Sequence, residues 1–409
     1  MASITDPPSE SFKLSQLLSD TRYRSYTFQF IALIALIAAF AYLLSNLFQN
    51  LAAAGLDISF GFLSEPAGYD INQRLIEYTS QSTHWRAAVV GVLNTLLVAV
   101  VGCFFATIIG VLVGVLRLSN NWIVSRLMSV YVEIFRNVPV LIWILIIMAV
   151  FVSVLPQPRD FRGEDASASM FLDMFAFTGR GFYLPRPYFT AEFAAGATGW
   201  LIVLALLVGS FFGARALSKW ATDTQESTGD RPTTWYLTLA IWFVPLIIAM
   251  FVMGLAWEMP ELKGFNFKGG IFARNSFIAL TFALAIYTAA FIAENVRAGI
   301  LAVSKGQTEA AASLGLRPNR IMSLVVLPQA LRVIIPPLIS QYLNLTKNSS
   351  LAIAVGYMDV TGTLGGITLN QTGRAIEAVL LLMLFYLTIS LTISLLMNVY
   401  NNSIKLKER

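Results

Sequence analysis

Seven stretches of this chain, 28–48, 87–116, 138–155, 193–214, 235–257, 276–293 and 378–397, run without one charged side chain. A membrane-spanning helix needs about 20 apolar residues, because each adds ~1.5 Å across ~30 Å of hydrocarbon. An eighth stretch, 333–357, is interrupted: it opens near Pro336-Pro337 and carries Lys347-Asn348-Ser349-Ser350 in its middle. The pattern predicts an all-α integral membrane protein with about eight spanning helices. Hydrophobic residues make up 56% of the chain and charged ones 12%, against about 25% charged in soluble domains.

The first run could be a signal peptide, since Ala52-Ala53-Ala54 offers small residues for cleavage. Its apolar stretch is longer than the ~7–15 residues such segments use, so a retained anchor is expected. The formal net charge of +5 does not point to nucleic acid, because the basic residues are scattered through loops instead of forming a stripe.

Orientation follows from the excess of lysine and arginine in cytoplasmic loops. With a cytoplasmic N-terminus, the inner segments hold sixteen basic residues besides Arg136, from Lys13, Arg22 and Arg24 to Lys405, Lys407 and Arg409. The outer ones hold ten, including Arg159, Arg162, Arg180 and Arg186. Both termini are therefore expected inside, with 294–332 facing the cytoplasm. The outer loops 50–86 and 156–192 are long enough to fold locally, and their aromatics, Phe171, Phe175, Phe177, Phe182, Tyr183, Tyr188 and Phe189, fit an interfacial belt. Cys103 lies in an apolar run and His84 is the only histidine, so neither a disulfide nor a metal site is expected.

One segment between spans looks soluble. Ser304-Lys305-Gly306-Gln307 has the form of a capping box and predicts a helix from Lys305. Gly315 supplies a left-handed stop, and Pro318 suits the first turn of a second short helix. The first helix, about ten residues and ~15 Å long, carries Glu309 beside Ala310, Ala311 and Ala312. From chemistry alone two readings stand: an amphipathic surface loop, or a helix that lies in a cleft of another protein, with the alanines permitting close approach.

The run Glu309-Ala310-Ala311, then Gly315, Ile321 and Leu327-Pro328, resembles the "EAA" coupling motif of permease subunits in ATP-binding-cassette importers. Glu294 to Ile300, Lys305-Gly306-Gln307, Leu327 to Arg332, Asn94-Thr95-Leu96 and Glu133 to Pro139 are similar to the polar amino-acid branch of that family. The resemblance covers about 87–155 and 276–398. The segment from Phe60 to Gly68 and the extra spans are similar to the larger permease subunits of general L-amino-acid uptake systems.

The resemblance implies a type I (MetI-like) transmembrane domain with a cytoplasmic coupling helix, in a bacterial inner membrane. It divides the chain into a cytoplasmic segment (1–27), a first span with periplasmic loop (28–86) and a first part of the core (87–155). An inserted periplasmic segment with two extra spans (156–275), a second part of the core (276–398, coupling loop 294–332) and a tail (399–409) follow. Glu309, Ala310, Ala311 and Gly315 would couple the chain to an ATPase dimer. That dimer would carry ATP and Mg, because no Gly-x4-Gly-Lys-Ser/Thr phosphate loop occurs here. A second homologous permease, as a heterodimer, and a periplasmic amino-acid-binding protein would complete the system. No catalytic residue, cofactor or metal is expected on this chain.

For the substrate pathway the candidates are Lys347, Asn344, Asn348 and Ser349, since an ionisable group inside a span is costly and faces a polar cavity. Lys347 either meets a substrate carboxylate or snorkels and pairs structurally. The family's usual Lys-Asp-Thr-Ser is Lys347-Asn348-Ser349-Ser350 here, which removes a possible contact for a substrate ammonium. Glu133 and Arg136 read as a structural pair three apart on a helix. The alternative class, an ion-coupled secondary amino-acid transporter, predicts internal repeats with broken helices and acids within spans; one interrupted span and no such acid are visible.

Overall fold

The computed structural model describes residue 18 and residues 21–55, 57–163 and 166–404. The basic residues Lys13, Lys405, Lys407 and Arg409 lie outside the described residues. Two units result, Met1–Phe62 and Leu63–Arg409. In the first, helix α1 (Thr21–Ala53) exposes apolar side chains all round, as a lipid-facing helix does.

The second unit is a helical core with a small β cap. Helix α2 (His84–Leu116) starts where the Thr83 hydroxyl accepts the Arg86 N–H at 3.3 Å. Gly102, Ala106, Gly110 and Gly114 repeat every fourth residue along it, giving one smooth face for close helix contact. Helix α3 (Trp122–Asn137) is capped by Asn121, whose Oδ1 accepts from Ile123 and Val124 N–H. Extended Val138 before Pro139 ends it, and α4 (Val140–Val154) follows.

Helices α5 (Ala197–Thr228) and α6 (Trp235–Val252) form the inserted hairpin, joined by a hydrogen bond from the Ser210 hydroxyl to the Ile241 carbonyl at 2.7 Å. The sequence run closed at 214, but the helix continues through polar residues until left-handed Gly229 stops it. Run 235–257 is shorter as a helix than expected. Gly254 (φ +65°) turns the chain, and Trp257 sits in a strand opposite Pro187.

The flanks of this hairpin supply seven short strands: β1 (Ala176–Thr178), β2 (Gly181–Leu184), β3 (Arg186–Phe189), β4 (Leu255–Glu258), β5 (Glu261–Lys263), β6 (Asn266–Lys268) and β7 (Ile271–Arg274). They pair antiparallel as β1-β2-β7, β3-β4 and β5-β6. Thus the loop 156–192, besides its own β1-β2 pair, joins strands from the far side of the hairpin through β2-β7 and β3-β4.

Helix α7 (Asn275–Leu301), ~40 Å long, runs from this cap to the coupling segment and is the most enclosed element. Short helices α8 (Lys305–Ser313) and α9 (Pro318–Ile321) follow, then a π turn (Met322–Val326) and α10 (Leu327–Asn348). Pro336 and Pro337 lie inside α10 and do not open it. Lacking N–H groups, they release only the Arg332 and Val333 carbonyls while the helix persists. A 3-10 turn (Ser349–Val355), a π turn (Thr361–Thr368), α11 (Leu369–Thr372) and α12 (Ala375–Ile404) complete the chain. Among the described residues eight helical segments are long and apolar enough to cross a membrane.

The helices outrun the apolar runs, and this brings Glu294 into α7 and Glu377 into α12. In the sequence each lies one residue outside a charge-free run. Glu377 is buried, with Arg374 at 3.4 Å.

Candidate coupling site

The segment after α7 folds on a core of its own. Ala311, Ile321 and Val326 are buried together, packed by Ile300, Val303, Leu316 and Val325. The motif alanines therefore divide by face. Ala311 points inward, whereas Glu309, Ala310 and Ala312 are exposed.

Both ends of α8 are set by local backbone chemistry. Ser304 is extended, but its side chain makes no capping bond, so the expected capping box is not formed. The first turn closes instead from Gln307 N–H to the Ser304 carbonyl at 3.1 Å, and water is free to serve the remaining donors of this exposed end. At the other end Gly315 (φ +77°) donates to the Ala312 carbonyl at 2.9 Å, and Leu316 N–H reaches the Ala311 carbonyl at 3.4 Å. These two bonds, with Leu316 packed near Ala311, constitute a Schellman stop. Pro318 opens α9, as its fixed φ and missing donor favour. Leu314 is left 80% exposed at the tip. Its signal in the sequence is an apolar residue directly before the stop glycine.

Beneath this segment, Glu294 gathers three arginines. Its Oε2 accepts from Arg117 at the end of α2 and lies 3.8 Å from Arg136 of α3; its Oε1 accepts from Arg297 at 2.6 Å. Arg136 also covers the Phe291 ring at 5.3 Å. Arg136 thus turns to Glu294, and no bridge to Glu133 occurs among the described residues. A carboxylate on the neighbouring helix α7, with a ring beneath the guanidinium, outcompetes the partner three residues back. The Tyr131 hydroxyl adds a bond to the Ile286 carbonyl at 2.6 Å. Ends of α2, α3 and α7 are thereby fastened together beside the coupling helix.

The four pathway candidates are not brought together. Asn344 and Lys347 lie exposed on α10, on one stripe with Val333, Pro336 and Ser340. Asn348 is half-buried. Ser349 is fully buried, its hydroxyl donating to the Thr346 carbonyl at 2.8 Å. Asp359, missed from sequence, is also fully buried and caps the following turn, accepting Gly362 N–H at 2.8 Å. Among the described residues no group of His, Cys, Asp or Glu is suited to hold a metal.

The family profile described as "Binding-protein-dependent transport system inner membrane component" matches residues 227–406. The glutamate/glutamine/aspartate/asparagine transport system permease protein BztB of Rhodobacter capsulatus is 55% identical over the whole of both chains. The chain belongs to the permease subunits of ATP-binding-cassette importers.

Two further relatives align with the permease over nearly its whole length. The general L-amino acid transport system permease protein AapQ of Rhizobium johnstonii is 45% identical, covering 95% of this chain and 94% of its own. The putative amino-acid ABC transporter permease protein YhdX of Escherichia coli is 43% identical over 94% and 95%. A permease of this family works with a separate ATPase and a binding protein, so the chain is a multi-pass membrane component and not itself an enzyme.

Proposed function

We propose that this permease forms half of the membrane pathway for L-amino acids, acidic and amide ones among them, in a bacterial inner membrane. The named substrates of its relatives support this cargo. A second homologous permease provides the other half, as a heterodimer, and an ATPase dimer holding ATP and Mg drives the cycle. Helix α8 is the contact with that ATPase: Glu309, Ala310 and Ala312 meet its groove, Ala311 and Gly315 hold the helix in shape, and both chain termini lie on the same, cytoplasmic, side.

One observation carries the reading. A nine-residue helix, built on its own small core and stopped by a Schellman turn, leaves glutamate, alanines and an apolar tip uncovered. Exposure of Leu314 is costly in water and is relieved when a partner covers it. The exposed stripe on α10 supports a pathway at a subunit interface. Polar Ser340, Asn344 and Lys347 are unfavourable against lipid and are accommodated where they line a cavity between chains. Lys347, without an ion pair among the described residues, is suited to a substrate carboxylate, with Asn344 beside it and Asn348 and Ser349 at the inner wall.

Disulfide mapping tests the contact. Cys103, within a membrane span, is the only native cysteine, so Glu309→Cys introduces the sole thiol outside the membrane. In the assembled importer it should cross-link to cysteines placed along the ATPase groove. Full reactivity of that thiol with a bulky aqueous reagent in the assembled complex would refute the docking.

A further inference from the structure

The β cap lies at the end of α7 opposite the coupling helix, and neither coupling nor the pathway stripe makes use of it. Gln157, Pro158, Arg159, Arg162, Arg180 and Phe265 line a cleft on it of about 450 Å³. Among the described residues only Arg159 of these three arginines has an acidic partner, Asp160 at 3.6 Å, and that side chain is 84% exposed, so the pair is weak. Arg162 stacks over the Phe265 ring at 5.0 Å, yet Phe265 remains 85% exposed. An aromatic ring and arginines held open to water together have the composition of a protein-binding hot spot.

A second feature of the cap points the same way. Leu172 and Asp173, both at φ +54°, are the only non-glycine residues among the described ones in the left-handed region. Their turn is closed by paired bonds between Phe171 and Phe175, and it leaves Phe171 and Leu172 exposed. Backbone strain maintained to present apolar side chains to solvent marks a contact surface. A free amino acid is a poorer occupant of the cleft. Small-ligand sites enclose their ligand among buried polar groups, whereas all three arginines here are exposed.

We propose that the cap is the docking platform for the binding protein, an acidic patch of which engages Arg159, Arg162 and Arg180 around Phe265. This rests on the importer reading, because the cap lies across the membrane from the ATPase contact only if α8 is that contact. The intact complex in nanodiscs, with ATPase and second permease, is titrated with its purified, amino-acid-loaded binding protein while ATP hydrolysis is followed. Arg159→Glu/Arg162→Glu/Arg180→Glu should raise the half-maximal concentration by about tenfold or more, because like charges then face each other. Basal hydrolysis and the saturated rate should stay as in wild type. Phe265→Ala, at a solvent-exposed position that the fold tolerates, should raise the same concentration with no change in the saturated rate. In the wild type, salt rising from about 0.05 to about 0.5 M should weaken docking, and in the triple variant it should not. Wild-type half-maximal concentrations in both variants, or a wild-type titration indifferent to salt, would overturn the proposal. A wild-type complex that hydrolyses ATP without responding to binding protein would instead overturn the importer reading.

Discussion

Arg117 and Glu294, 177 residues apart in sequence, meet as a hydrogen-bonded ion pair at the end of the core nearest the coupling helix. Through Arg136 and Arg297 the same carboxylate holds α3 and its own helix, so three helix ends share one anchor. The anchor lies only two turns before α7 ends, with α8 following three residues later. On the proposed function, this anchor is what would pass a displacement of α8, carried by α7, on to α2 and α3.

Removing that anchor leaves arginines with no counter-charge. Glu294→Gln should destabilise the permease by about 1–3 kcal/mol, since Arg117 is largely buried and loses an ionic partner. The check is the apparent melting temperature of the purified complex. An unchanged melting temperature would mean that the cluster contributes nothing to the packing of α2, α3 and α7.

Close packing of α2 on α7 should be just as sensitive. A Cβ at Gly110 would stand 2.6 Å from the Ile292 Cβ and 3.0 Å from the Ala289 carbonyl oxygen, and the backbone cannot yield as a flexible side chain would. Gly110→Val is expected to cost about 1–3 kcal/mol or more and to cut the yield of assembled complex. Gly209, with open space around it on the inserted hairpin, should accept alanine without loss of yield.

The motif alanines should behave differently from one another. Ala311→Leu overpacks the small core of Ile321 and Val326, so folding of the coupling segment suffers by about 1–3 kcal/mol. Ala310→Leu or Ala312→Leu meets only solvent in this chain, and should leave stability intact while reducing ATP-driven uptake. Limited proteolysis beside uptake assays separates the two effects; equal behaviour at all three positions would contradict the assignment of faces.

At Gly315 the cost is conformational alone. Nothing lies within 4 Å of a Cβ built there, but φ +77° disfavours any L side chain. Gly315→Ala should cost about 1–2 kcal/mol, Gly315→Asn less, and uptake should fall in the same order. Uptake of Gly315→Ala equal to wild type would show that the Schellman stop is dispensable.

What could be read in the sequence was what is decided locally. Charge-free runs gave the spans, and Gly315 and Pro318 gave the ends of the coupling helices, because a positive φ and a missing donor act on neighbouring residues. Ser304 misled, since a capping-box pattern states only which bonds are available, and in an exposed helix end the hydroxyl gains little over water. The Glu294 cluster was hidden because, beyond its near neighbour Arg297, its arginines arrive from two other helices. The β cap was hidden because its strands are three or four residues long and pair across the α5–α6 hairpin, as Trp257 with Pro187. Burial of Ala311 but not Ala310 required the partners Ile321 and Val326, which only the turn at Gly315 brings back.

The proposed function requires that a partner's ATP cycle move this chain through α8. It is tested most directly by uptake of a labelled amino-acid panel into proteoliposomes holding the complete system, wild type or Glu309→Lys, with ATP enclosed. Wild type should show ATP-dependent uptake that fails in Glu309→Lys, while binding-protein affinity is retained. Uptake by the permease alone, driven by an ion gradient, or undiminished ATP-dependent uptake by Glu309→Lys, would contradict it.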